Sequence, residues 1–193
     1  MTSVHRPSSN TWLRNERSAL AAEQIVDAAA SLFAERGVAA VGMAEIASAA
    51  GCSRATVYRY FDNRDALHNA FVHREARRVG AAVAHELADV ADPRERLVRA
   101  VMSSIRLVRD DPILAAWFSV DDAGTAVRLA QSSEVIEAMV AELLGPGAGT
   151  DPDIRRRASW VVRVIVSLLA DPGSDADEER ALVEEFVVPV VVG

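Results

Sequence analysis

The chain of 193 residues is poor in several features whose absence narrows its role. It holds one cysteine, Cys52, so no internal disulfide can form and a reducing compartment suits it. It has no lysine, and all 21 basic residues other than histidine are arginines, a bias that coding composition explains as readily as a need for forked hydrogen bonds. Aromatics make up only 5% of residues, and the apolar half is mostly Ala, Val and Leu, which favours helices where the spacing agrees. No apolar run reaches the roughly 20 residues of a membrane span. The candidates at 160–170 and 186–192 are too short, and the opening MTSVHRPSSNTW has no apolar signal core. The expectation is a cytoplasmic protein with no membrane partner.

Catalytic patterns are missing as well. His5 lies in the N-terminal tail, and His68, His73 and His85 follow one helix without an i,i+4 partner or an HExxH arrangement. No GxSxG or phosphate-loop glycine pattern occurs, and Cys52 has no candidate base beside it. No enzyme activity, metal site or cofactor is expected.

Charge is divided unevenly. The net charge of −7 argues against a nucleic-acid partner when taken whole, yet residues 1–80 hold 10 arginines against 8 acids and residues 81–193 hold 11 against 20. A negative body repels phosphate and would turn any DNA toward the N-terminal end.

Three- and four-residue apolar spacing predicts an all-α chain of about nine helices. After a polar segment at 1–10, these lie near 10–36, 43–50, 54–61, 64–90, 93–109, 112–120, 122–144, 152–170 and 175–191. Gly37 supplies a stop, Asp62 or Asn63 caps the fourth, and Pro93 and Pro112 suit first helical turns. The C-terminal VVPVVVG is β-branched but continues the Leu182, Phe186, Val190 spacing, so it reads as helix. No alternating strand pattern occurs.

The second and third helices stand out. Ile46, Ala47, Ala50, Val57 and Phe61 can share a small core with Ile25, Leu32 and Phe33, and Gly51 permits the positive φ of a tight turn. This describes a helix-turn-helix with Ser53 capping its second helix. Arg54, Ala55, Thr56, Tyr58, Arg59 and Tyr60 then face outward. Short groups at the N-terminal end can approach base edges, and arginines and tyrosine hydroxyls can hold guanine or phosphate. Arg64 adds a cation at a helix N-terminus that itself favours phosphate. A solvated charged face is the bland reading, but it does not account for two tyrosines and three arginines outward just after a glycine turn. The expected DNA-facing set is Ser53, Arg54, Ala55, Thr56, Tyr58, Arg59, Tyr60 and Arg64.

The segment from Ala28 to Leu67, with Phe33, Gly37, IASAAG and SRATVYRYF, resembles the DNA-binding domain of the TetR family of transcriptional repressors, whose pattern is IAxxAGVSxxTxYxxFxxKxxL. Cys52 stands where valine is usual, Gly42 where a capping Thr or Ser is common, and Arg64 where lysine is usual. The resemblance covers about a third of the chain closely and implies three regions: an arm and the start of the first helix at 1–17, a helix-turn-helix domain at 18–63, and a helical effector-binding and dimerisation domain at 64–193.

The resemblance further implies a homodimer joined by the last two long helices as a four-helix bundle. The eighth predicted helix carries Trp160, Val161, Val164, Ile165 and Leu168 and is apolar nearly all round. The ninth presents Leu182, Phe186 and Val190, so both suit cover from two sides. By resemblance, the fifth to seventh helices form the ligand domain, with a small-molecule effector bound among the fourth to eighth; candidate lining residues are Met102, Ser104, Ile105, Val108, Trp117, Phe118, Ser133, Ile136 and Met139. Plain core explains any one of the apolar members as well, and serine back-bonding explains Ser104 and Ser133. The composition favours an apolar or amphipathic effector. The expected function is a repressor released from a palindromic operator in double-stranded DNA by such a molecule; the alternative is a DNA-binding regulator without a pocket, controlled by a protein partner.

Overall fold

The computed structural model describes residues 9–119, 122–145 and 151–193, and every regular element among them is helical. What the sequence suggests for residues 1–8 falls outside this range. Helix α1 spans Ser9–Arg36, α2 Met43–Ala49, α3 Arg54–Tyr60, α4 Arg64–Glu86 and α5 Pro93–Arg109. These are followed by α6 Pro112–Ala115 with a 3-10 turn at Ala116–Phe118, α7 Ala123–Gln131, α8 Glu134–Leu144, α9 Pro152–Ala170, α10 Ala176–Phe186 and α11 Val188–Val191.

Local chemistry sets most of these ends. Asn63 caps α4 by accepting from the Ala66 N–H at 2.8 Å, which decides between the two candidate caps. Asp92 and Asp111 cap α5 and α6, each just ahead of a proline in the first turn. Helix α4 stops at Glu86, short of the expected 90, where Arg96 donates to the Leu87 carbonyl at 2.9 Å and satisfies an orphan acceptor.

Two expected helices are broken. The stretch 122–144 divides at Ser132-Ser133, because the Ser133 side chain accepts from Ile136 N–H at 3.2 Å and starts α8. The C-terminal helix divides at Val187, because Pro189 has no N–H to continue the ladder from α10.

Helices α1 to α4 share a core of Ile25, Ala29, Phe33, Ile46, Val57, Leu67 and Phe71, and Leu114, Trp117, Ala126 and Leu129 complete it. The first hydrophobic core therefore crosses residue 63 and joins the N-terminal helices to α6 and α7. A second core lies between α5, α9, α10 and α11 around Val101, Ile105, Val161 and Val183. Arg109 binds it together, donating to both carboxylate oxygens of buried Glu179 at 2.8 and 2.7 Å and to the Leu168 carbonyl at 2.8 Å.

Candidate nucleic-acid interface and effector cavity

The α2–α3 turn is built from the backbone outward. Gly51 adopts φ +65°, where a side chain would be strained, and Cys52 N–H donates to the Ala47 carbonyl at 3.0 Å. Ser53 accepts from Thr56 N–H at 3.1 Å and its hydroxyl pairs with that of Thr56 at 2.9 Å. Buried Val57 and Phe61 anchor α3, which leaves Ser53, Arg54, Ala55, Tyr58 and Arg59 exposed and Thr56 and Tyr60 half-buried. Gly42 has no capping side chain, and Glu45 supplies half of a capping box by accepting from the Gly42 N–H at 2.9 Å.

The two α3 arginines are poised rather than neutralised. Arg54 lies 5.4 Å over the Tyr58 ring and Arg59 5.0 Å over the Tyr60 ring, and each donates to the neighbouring phenol oxygen at 3.4 Å. Among the described residues neither pairs with a carboxylate, whereas Arg36, Arg74, Arg78 and Arg109 all do. Positive charge thus remains on the face that would meet phosphates. Arg64 is placed differently: its guanidinium donates to the carbonyls of Val38 and Ala39, the latter at 3.0 Å, and so holds the α1–α2 loop.

Behind this unit lies a cavity of about 360 Å³, within the range of small-molecule sites. Ser104, Val108, Trp117, Phe118, Ile136 and Met139 of the expected set line it. Met102 and Ile105 instead belong to the second core, and Ser133 is the α8 cap. The Ser104 hydroxyl donates to the Ala100 carbonyl at 2.7 Å, the back-bond that serine makes in helices. The site expected among the fourth to eighth predicted helices also has walls from α4, which includes Phe71, Val72, Val79 and Gly80, and from α9, which includes Val162 and Ile165, none of them in the expected residue set for the pocket. Gly80 carried the missed signal, since a Cβ there would lie 2.1 Å from Met139 Cε.

His68 sits beside the cavity wall, 3% exposed, edge-on to Phe33 at 5.3 Å and to Trp117 at 5.1 Å. Burial, reinforced by the Arg64 charge, pulls its pKa down to about 4, and among the described residues no group bonds either ring nitrogen.

Of the expected dimer residues, Trp160, Leu182, Phe186 and Val190 are exposed, Val164 and Ile165 are half-buried, and Val161 and Leu168 are buried within the chain. Among the described residues six large apolar or aromatic side chains are exposed, and four of them are this C-terminal group. Also among the described residues, no helix is long and apolar enough to cross a membrane, and no cluster of three metal-ligating side chains occurs.

Comparison with known proteins agrees with this geometry. The family described as bacterial regulatory proteins, tetR family, matches residues 25–71, which span the end of α1 through the start of α4. An uncharacterized HTH-type transcriptional regulator of Mycobacterium tuberculosis strain H37Rv is 51% identical over 181 residues, covering 93% of this chain and 90% of that protein. Among solved structures, RolR in complex with resorcinol aligns with a TM-score of 0.72 at 22% identity, over 92% of this chain and 90% of that one. The transcriptional repressor QsdR of R. erythropolis, from the TetR family, aligns at 0.66 and 19% identity, over 90% and 95%.

Proposed function

The chain belongs to the TetR family of transcriptional regulators, and we propose that it is a homodimeric repressor whose two α3 helices read a palindromic operator and which a small apolar or amphipathic effector releases. The observation that carries this reading is α3 itself. A Ser53-capped helix, anchored by Val57, presents Arg54, Tyr58 and Arg59 with no carboxylate among the described residues paired to either arginine.

Two such heads in one dimer call for half-sites about one helical turn apart. The exposed Trp160, Leu182, Phe186 and Val190 supply an apolar surface for a second copy. The cavity favours a small-molecule signal over a protein partner, because its mainly aromatic and aliphatic wall is lined by six helices, α4 to α9. The complex of RolR with resorcinol gives a precedent of this kind in a protein of the same fold. An effector releases DNA only by binding the DNA-incompetent arrangement more tightly.

Titrating the protein against DNA flanking its own gene and against scrambled DNA, at several salt concentrations, tests the reading. Specific, salt-steep binding that Tyr58→Ala abolishes is expected. Absence of binding to any DNA at low salt sinks it.

A further inference from the structure

We propose that Asp122 is a positioning residue that couples the effector cavity to the reading head directly, independently of the covalent path through α4. The proposal rests on the regulator reading above and deepens it.

Asp122 immediately precedes α7, where an aspartate ordinarily caps its own helix, yet its side chain makes no such bond. It turns away and accepts from the backbone N–H of Val38 at 2.8 Å and of Ala39 at 2.7 Å, in the loop between α1 and α2. The carboxylate is 3% exposed and takes a further bond from the Ser119 hydroxyl at 3.3 Å. Gly37, with φ +79°, ends α1 and aims the next two N–H groups together; a Cβ there would lie 3.2 Å from Asp122 Oδ2. A concave pair of N–H groups after such a residue is a ready-made carboxylate seat.

Arg64 completes the grip from the opposite side by donating to the carbonyls of the same two residues, Val38 and Ala39. The loop that positions α2, and through it α3, is therefore held at its N–H groups by the effector domain and at its carbonyls by the start of α4.

The same short segment is also a wall of the cavity. Trp117 and Phe118 line it just before Asp122, and Ala126 and Ala130 line it one and two turns after. Trp117 stacks on Phe71 at 5.1 Å and meets Phe33 of α1 edge-on at 5.3 Å. Any occupant that shifts this wall must move the carboxylate or lose its bonds, because close-packed interiors transmit displacement. The occupied cavity thus acts on the α1–α2 loop with no intermediate element.

A double-mutant cycle on the full-length protein tests this without an identified effector. Ala130→Phe fills part of the cavity in place of an occupant. Asp122→Asn keeps one acceptor but sets an amide NH₂ against an N–H donor, and Asp122→Ala leaves the seat without any acceptor. Amide hydrogen exchange through α2 and α3 is read in all variants, with thermal melting to verify that each is folded. Ala130→Phe should speed exchange there about tenfold when Asp122 is present and at most about twofold in either Asp122 variant, where only the packing of Trp117 against Phe33 still transmits it. An equal response with and without Asp122, or no response in either background, overturns the proposal. Since this readout needs no DNA, failure to bind any DNA would sink the regulator reading alone, whereas intact DNA binding with an unbroken response in Asp122→Asn would sink only the coupling.

Discussion

Replacing His68 with phenylalanine should stabilise the protein, and more in mild acid than at neutral pH. Wild-type His68 is 3% exposed and neither ring nitrogen has a partner among the described residues, so the neutral imidazole already carries an unsatisfied donor and an unsatisfied acceptor. Each such group costs about 1–3 kcal/mol, and a phenyl ring preserves the edge-on contacts to Phe33 and Trp117. Crowding by the larger ring returns part of that gain, on the order of 1 kcal/mol, so the net effect at pH 7.5 is a stabilisation of at least about 1 kcal/mol.

Acid adds a second contribution whose sign follows from the depressed pKa of about 4 against an ordinary 6.5. Between those values the unfolded chain binds a proton that the folded site refuses. The stability associated with neutral His68 is therefore complete above pH 6.5 and is lost as pH falls toward 4. By pH 5 the loss is about 2 kcal/mol, and His68→Phe abolishes it. The groups that act on the ring, Arg64, Asp65, Arg128 and Asp122, are the same in both proteins. Urea unfolding at one fixed protein concentration, at pH 7.5 and 5.0, should show the gap between mutant and wild type widening by about 2 kcal/mol. A gap that stays constant with pH, or a mutant clearly less stable at pH 7.5, refutes the account of an orphaned, neutral histidine.

Other expectations follow from single contacts. Ser53→Ala removes the α3 cap at Thr56 and should cost about 1 kcal/mol in urea unfolding, with a larger proportional loss of DNA affinity because the exposed helix frays where it would read. Glu179→Gln breaks the pairing with Arg109, which is the main cause of the depressed Glu179 pKa. It should cost about 2 kcal/mol at pH 7 and weaken the acid transition, since that stability is present above the ordinary carboxylate pKa and lost as pH falls through the lower folded value. Phe186→Glu, at a site 56% exposed in the single chain, should yield a folded monomer by sedimentation velocity with weakened DNA binding. Gly80→Ala sets a methyl group against Met139 and should push that side chain into the cavity, lowering uptake of a fluorescent hydrophobic dye.

The helix-turn-helix was legible because its signals are local: Gly51 at a positive φ, Ser53 at a cap, and Val57 and Phe61 at the spacing of a buried face. The break at Pro189 was also written in the sequence, but the apolar spacing through Leu182, Phe186 and Val190 masked it. Ser133 read as a serine on an apolar face because cap and mid-helix serines look alike until the neighbouring backbone is known. Arg64 and Asp122 lie in a different class. Each meets the 38–39 loop from 25 or more residues away, and no periodicity or short motif records such a contact. The individual α4 residues of the cavity were not legible because that helix reads as a connector between two domains, although glycine inside a long helix marks a close approach.

Placement of the boundary between head and body bears on how regulation can work. Were the two units separate bodies joined only by α4, an effector could reach α3 only by moving that helix. The core instead runs without interruption from Ile25 and Phe33 through Phe71 to Trp117 and Leu129, so a cavity wall and the packing of the reading head share side chains. Trp117 belongs to both. A change of volume beside that ring is passed to Phe33 of α1, which meets it edge-on at 5.3 Å, is 0% exposed and has no slack to absorb it. Conversely, a head drawn into a fixed orientation on DNA constrains the same ring, and by linkage a cavity occupant that weakened DNA binding would itself be bound more weakly by the same factor. The reading head and the cavity in this chain are consequently two faces of one packed cluster.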